Sequence, residues 1–465
     1  MSDAVVPLSN VDAAWLKMED PTNLMMVTGV MTFAKPVDMT YLRALIETRL
    51  LRYDRFRQRV VRPAFPMAPY YWEFDPTFDV NAHVHRIGLP HPNNKLALQE
   101  LVSYLMSTSL DFSKPLWQLH IIDGYGEGGA IIIRLHHAMA DGMALVGVLL
   151  ALAEMAPGAP QPEPDGLPAV GDPPNALVGS WEALQLRGAR LLGKGVGVGR
   201  RALIEGLETY LNNDRPRELA ELSFDYVHAA SKLVLRPPDP RTLYKGKLGV
   251  AKRAAWSRPL PMSEIRAMRL ATGATVNDLM IAIVTGGLRR YMESRGEEIV
   301  DFRAAVPVNL REPNEMGGLG NKFGLVFVEL PVGTVDISRR LAIVRHRMES
   351  LKESQEAPVS LDILGAMGFS AQAIQDQVVK LISTKATAVL TNVPGPPIPL
   401  YLAGQAIENI MFWVPQSGRL GLGISIISYA NNIYLGIATD AGLVPDPDGI
   451  MLGCYAEYDE LLGLS

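Results

Sequence analysis

A single cysteine, Cys454, in 465 residues excludes an internal disulfide, and no Cys/His cluster has zinc-site spacing, so neither staple holds this fold. A reducing compartment fits that usage. No apolar run reaches the ~20 residues of a membrane-spanning helix. The longest, about Met143 to Met155, is broken by Gly147 and Glu154 and reads as a buried core helix. At the N-terminus Asp3 precedes any apolar run and a basic n-region is missing, which gives the expectation of an ordinary cytoplasmic start rather than a secretory signal. Basic side chains are not in excess either: 44 Lys and Arg stand against 49 Asp and Glu, a net charge of −5. Without a basic footprint, nucleic acid drops out as a partner class.

What is present is apolar. Hydrophobic residues make up 48% of the chain, mean hydropathy is +0.10, and twenty methionines offer adaptable surface for a greasy channel or a lipid face. A chain of this length exceeds the roughly 250–300 residues at which single cores stop growing, so two domains are expected. Period-two and period-3.6 patterns predict strands over about Met25 to Phe33, Tyr70 to Phe74, Trp117 to Asp123 and Ala130 to Leu135, with helices over Met39 to Leu51 and Leu96 to Ser109. A Pro/Gly-rich stretch from Ala156 to Asn175 marks a linker. Helical periodicity resumes over Trp181 to Leu211 and Arg217 to Leu235, with Arg187, Arg190, Lys194, Arg200 and Arg201 giving the first segment a basic character suited to a bridge or a lipid-facing element. The glycines of Gly193 to Gly199 do not follow GxGxxG and no strand precedes them, so they suggest no nucleotide loop. From about Lys247 a second β/α alternation begins, with strands near Ala251 to Trp256, Phe302 to Pro307, Phe323 to Leu330, Ala388 to Thr391, Asn409 to Val414, Gly421 to Tyr429 and Ile433 to Thr439. Helices are expected over Pro261 to Ala271, Val276 to Met292, Ile337 to Ser354 and Ala371 to Ile382. The expected division is 1–155, a linker with helical bridge over 156–246, and 247–465.

Chemistry concentrates in His136-His137-Ala138-Met139-Ala140-Asp141-Gly142, at the end of a strand. An imidazole there titrates near neutrality and is equipped to act as a general base, taking the proton of a hydroxyl as its oxygen attacks a thioester carbonyl. A glycine after the aspartate leaves room for substrate beside the backbone. Neighbouring strand residues point to opposite faces, so the two histidines do not share a metal ion and only one faces a reaction. HExxH spacing is absent as well, and no metal ligands are assigned. Paired histidines also serve purely as hydrogen-bonded structure, which remains open at this level. His83, His85, His91, His120, His228 and His346 stand outside any motif.

HHxxxDG resembles the signature of acyl-CoA-dependent acyltransferases built like chloramphenicol acetyltransferase, a group that includes condensation domains and polyketide-associated acyltransferases. Further segments narrow the likeness. Pro7-Leu8-Ser9-Asn10-Val11-Asp12-Ala13-Ala14-Trp15 with Glu19-Asp20-Pro21, Pro115-Leu116-Trp117, Thr275-Val276-Asn277-Asp278 running to Arg290, Val306 to Arg311 with Gly320-Asn321, and Asn392-Val393-Pro394-Gly395-Pro396 are similar to bacterial wax ester synthase/diacylglycerol acyltransferases. The resemblance spans nearly the whole chain. It implies an α/β fold of two chloramphenicol-acetyltransferase-like domains, each a mixed sheet flanked by helices, joined by a long, partly helical linker. It implies His137 as the base, His136 and Gly142 as support, and Asp141 as a structural residue paired with Arg311 or Arg134. Asn277, with Asp278, becomes a candidate for binding substrate or an oxyanion, or serves only to start a helix. Pro115, Leu116 and Trp117 become packing beside the acyl channel or plain core, and Asn392 to Pro397 a turn between domains. Departures from the family pattern are the Pro396-Pro397-Ile398-Pro399 run and Asn309 in place of a Ser or Asp.

The activity so implied moves a fatty acyl group from acyl-CoA to diacylglycerol or a fatty alcohol in a ternary complex, with no cofactor. Peripheral contact with the inner membrane or lipid droplets is compatible with it. Two rivals stay in view: a condensation-type or polyketide-associated acyltransferase with another alcohol or a carrier-bound donor, and a non-catalytic lipid-droplet-binding protein.

Overall fold

The computed structural model describes residues 6–62, 69–158, 161–162, 235–311, 319–352, 356–369 and 372–464. The expected helical bridge between 181 and 234, with Gly193–Gly199 and His228, lies outside the described residues.

The first half builds α1 (Asn10–Lys17), β1 (Met26–Phe33), α2 (Met39–Thr48), β2 (Gln58–Val61), β3 (Tyr71–Phe74), β4 (Val84–Gly88), α3 (Lys95–Met106), β5 (Trp117–Tyr125), β6 (Gly128–His136) and α4 (Gly142–Leu152). Ser9, Asp38, Asn94 and Asp141 cap the four helices by accepting backbone N–H bonds in the first turn. The second half continues with β7 (Lys252–Trp256), α5 (Met262–Thr272), α6 (Val276–Ser294), β8 (Phe302–Asn309), β9 (Phe323–Leu330), α7 (Ile337–Lys352), α8 (Glu356–Phe369), α9 (Gln372–Lys385), β10 (Ala388–Pro394), β11 (Asn409–Trp413), β12 (Leu422–Tyr429), β13 (Asn432–Asp440) and α10 (Pro447–Leu462).

Two mixed sheets result, as expected, but they do not divide at the linker. The five-stranded sheet runs β11-β1-β6-β5-β4, so a strand from beyond residue 400 completes the sheet of the first half. The other sheet runs β9-β8-β10-β12-β13-β7, with β8, β10 and β12 parallel and Leu260–Pro261 also pairing with β13. Coupling works in the opposite direction too. Ser103 of α3 and Ser107, which ends it, accept the N–H groups of Ala254 and Lys252, satisfying donors along β7.

Two sequence expectations change. Asn392 to Pro394 is not a turn: it ends β10, paired in parallel with β12, and the chain bends only afterwards. A proline is tolerated there because a strand end needs no further ladder donor. The helices α8 and α10 and the strands β2 and β4 lie where no element was expected. Among the described residues, no single helix is long and apolar enough to cross a membrane; α5 and α6 pass only as a pair bent by 97°, and α6 is core.

Candidate active site

β6 and β1 pair so that Met26 lies opposite His136, and the next amide, His137 N–H, donates to Met25 O at 2.7 Å. The motif therefore leaves the sheet with its backbone still anchored. The two imidazoles then diverge. His136 Nδ1 accepts from Ala138 N–H at 3.0 Å, its Nε2 sits 3.5 Å from Glu19 Oε2, and its ring meets Phe112 edge-on. His137 stacks on Trp15, with ring centroids 4.1 Å apart and planes 22° from parallel, and faces Phe323 at 5.7 Å.

Asp141 is spent on structure. Its Oδ1 accepts from Ala144 N–H and from Arg311 Nη1 at 2.5 Å, while Oδ2 accepts from Lys322 N–H at 3.1 Å. Arg311, not Arg134, is its partner. Arg134 instead donates to Gln118 and to the Thr108 carbonyl. Arg311 Nη2 also holds Gly320 O at 2.6 Å, and Gly320 exchanges backbone bonds with Met139 and Asp141. Gly320 has φ +101°, a conformation that side chains disfavour, so a glycine is needed where this segment docks on the motif.

An apolar cavity of about 110 Å³ begins at the motif and follows α4. Gly142, Leu145, Leu149 and Leu152 line it from the helix, and alternate residues of β1 and β6, such as Met31 and Leu135, from the sheet. A Cβ on Gly142 would lie 3.2 Å from Val393 Cγ2, so the glycine is a point of close packing between the halves. Beside Val393, Asn392 Nδ2 donates to Asn277 Oδ1 at 2.9 Å, which brings two further motifs to the same edge. Asp278 is buried and its carboxylate accepts from the Thr275 amide and hydroxyl in a capping box, so its acceptor is used by its own helix. Pro115, Leu116 and Trp117 are core and do not line the cavity. Trp117 lies one layer behind it, donating to Phe56 O at 2.8 Å and stacked on His83.

The residues that sequence reading missed as site neighbours are Asp12, Trp15, Arg55, Asn321 and Phe323. Asn321 Nδ2 donates to both Asp12 Oδ1 and His137 O at 2.8 Å, and Arg55 Nη1 lies 3.5 Å from Asp12 Oδ2. Burial raises the Asp12 carboxyl against the pull of Arg55 and Asn321. For Asp12, Trp15 and Asn321 a signal was available, since Pro7 to Trp15 and Gly320-Asn321 stood out as motifs, without roles; Arg55 carried none, and Phe323 only opened an expected strand.

Burial lowers the proton affinity of His137, Asp141 and Asn321 opposing and His136 reinforcing the shift. The ring is neutral at physiological pH, the state a general base requires. His120, buried on β5 beside Arg134, is pushed down to about 3 by the same desolvation. Both groups bind more protons unfolded than folded, so stability is complete above the ordinary imidazole pKa and is lost as pH falls through it towards the depressed folded values. Urea midpoints are expected to drop between pH 7.5 and 5; a midpoint unchanged across that interval would count against neutral buried rings. Among the described residues, no group of three or more His, Cys, Asp or Glu is arranged to hold a metal ion.

The wax ester synthase/diacylglycerol acyltransferase catalytic domain matches residues 8–280, and the C-terminal domain of the same family matches 319–461. The chain belongs to this family and is an acyltransferase. A putative diacylglycerol O-acyltransferase of Mycobacterium tuberculosis (strain H37Rv) is 26% identical over 487 residues, covering 99% of this chain and 91% of its own. A probable diacylglycerol O-acyltransferase of the same organism is 26% identical, covering 98% and 96%. The wax ester synthase/diacylglycerol acyltransferase of Marinobacter aquaeolei VT8 superposes with a TM-score of 0.67 at 21% identity, over 98% of each chain. The first condensation domain of the calcium-dependent antibiotic synthetase follows at 0.60 and 16% identity, covering 100% of this chain and 97% of its own, which shows a shared fold.

Proposed function

We propose that this enzyme transfers a fatty acyl group from acyl-CoA to the hydroxyl of diacylglycerol or a long-chain alcohol, giving triacylglycerol or a wax ester plus CoA. The observation that carries this reading is an apolar cavity that follows α4 and takes Gly142, of the same motif as the buried His137 imidazole, into its lining. That eleven-residue helix spans about 16 Å at 1.5 Å per residue. One leaflet's acyl chains cover a similar reach, about half of the ~30 Å hydrocarbon core of a bilayer.

His137 takes the hydroxyl proton as the alcohol oxygen attacks the thioester carbonyl. The tetrahedral adduct collapses with cleavage of the carbon–sulfur bond, and the imidazolium returns the proton to the departing thiolate. Both substrates are bound at once and no acyl-enzyme forms. In this reading Asn277, whose side-chain oxygen is held by Asn392 at the start of α6, donates from its amide nitrogen to the developing oxyanion, an interaction worth several kcal/mol in other acyl transfers. In this reading the reaction needs no prosthetic group. The enzyme is cytoplasmic and meets its lipid at the periphery of the inner membrane or a lipid droplet.

Free-thiol release from palmitoyl-CoA tests the proposal across a panel of acceptors. Release with diacylglycerol or hexadecanol is expected. Release only with a carrier-bound or polyketide alcohol would transfer the assignment to condensation-type chemistry, and droplet binding without release would make the protein a scaffold. A second expectation concerns the cavity: Leu145→Trp fills it near the motif, so the chain-length optimum should move to shorter chains, by at least tenfold in kcat/KM for palmitoyl relative to hexanoyl groups. An unaltered chain-length profile would place the aliphatic tail elsewhere. Varying the donor at fixed acceptor, then the reverse, tells which substrate's tail occupies it.

A further inference from the structure

A base needs a fixed ring, and in acid–base–nucleophile triads a carboxylate bonded to the second ring nitrogen provides that. Here the only carboxylate in the motif, Asp141, is occupied by Arg311, its helix cap and the Lys322 amide. His137 Nδ1 is buried with no partner at bonding distance among the described residues. Orientation must come from other contacts. One is the Trp15 indole, 3% exposed, whose face covers the imidazole at 4.1 Å. The other is Asn321, whose Nδ2 holds the His137 carbonyl at 2.8 Å. Both meet at Asp12: it lies three residues from Trp15 on α1, and its Oδ1 takes the second bond of the Asn321 amide, fixing which way that amide points. Ser9 caps the helix through the Asp12 amide, and Arg55, packed over Trp72 at 4.4 Å, steadies the far carboxylate oxygen.

We propose that Trp15 and Asn321, aligned through Asp12, are the positioning residues of His137: the indole fixes the plane of the imidazole and the amide fixes its backbone, together replacing a ring-bonded carboxylate. The inference rests on His137 being the base. Asn321 Oδ1, on the amide that holds the His137 carbonyl, is a buried acceptor with a lone pair unused among the described residues, so a proton on Nδ1 suits this side of the ring and leaves Nε2 free to accept.

Nitrogen NMR of the ¹⁵N-histidine-labelled full chain reads the tautomer directly, with the His137 signal assigned by its absence in His137→Ala. A single neutral Nδ1–H form is expected at pH 7.5, giving way to mixed tautomers in Asn321→Leu. Kinetically, Trp15→Leu should lower kcat at least tenfold with KM for acyl-CoA within twofold, and Trp15→Phe, which keeps a stacking ring, should recover most of it. A mixed or Nε2–H signal in the native enzyme overturns the proposal even where a variant fails to fold. So does a Trp15→Leu kcat within threefold of native. The two readings fail separately: His137→Ala with undiminished transfer refutes the base while leaving the native spectrum as it is, whereas a mixed spectrum with an inactive His137→Ala refutes the clamp alone.

Discussion

His137→Ala is expected to abolish measurable transfer, losing on the order of 10²–10⁴ in kcat, the range a positioned acid–base group contributes. The cavity, the Asp141–Arg311 pair and the docking of Gly320 on the motif do not involve the imidazole, so binding of acyl-CoA and the unfolding midpoint should stay near native. His136→Ala makes the contrast. That ring accepts the Ala138 amide, and its loss removes a local hydrogen bond worth about 1 kcal/mol, a rate effect of roughly tenfold or less if the motif relaxes. Thiol release assays on the two purified variants decide it. Full activity in His137→Ala would sink the base assignment, and equal losses in both would mean that the motif acts only through its shape.

Local chemistry was legible in the sequence because it is contiguous. Seven adjacent residues hold the base, its neighbour and the helix cap, and strand alternation already separated the two rings before the Trp15 and Glu19 contacts showed where each points. The partner of Asp141 was not legible: Arg134, seven residues away, and Arg311, 170 away, are equally able to pair with a carboxylate, and only the fold brings one of them within 2.5 Å. The same holds for Trp15, which the sequence offered only as the end of a motif, since nothing local says that its indole will cover His137.

Misread elements have physical reasons as well. α8 lacks an amphipathic period, being apolar on most sides, and carries Pro358, Gly365 and Gly368, which read as breakers. Pro358 falls in the first turn, where its missing N–H costs nothing. Gly368 is a contact: a Cβ there would lie 2.0 Å from Asn10 O, so the glycine allows α8 to press against α1, the helix that brings Trp15 to His137. β11 was legible as a strand but not as a member of the first sheet, since no local pattern states which of two sheets an apolar strand will join.

The second large effect expected is on stability. Arg311 and Asp141 are both buried and reach across 170 positions to tie the motif to residues 319–322. Arg311→Met leaves the Asp141 carboxylate in the interior with two amide donors and no cation, and breaking such a pair from one side costs about 3–5 kcal/mol. The urea midpoint should fall accordingly. Asp141→Asn keeps a capping oxygen but strands the guanidinium, so it should also destabilise, and Arg311→Met/Asp141→Asn should lose less than the two single losses summed. The coupling from that cycle is expected within about 0.5–3 kcal/mol, the range for residues in contact. Arg134→Met paired with Asp141→Asn should show none, because Arg134 bonds Gln118 and Thr108 instead. Activity should fall with the docking of the motif while the acid limb of the pH profile stays below the ordinary imidazole range, since the ring's depressed affinity comes first from burial. Zero coupling between Arg311 and Asp141 would mean that the pair neither holds the halves together nor shapes the site.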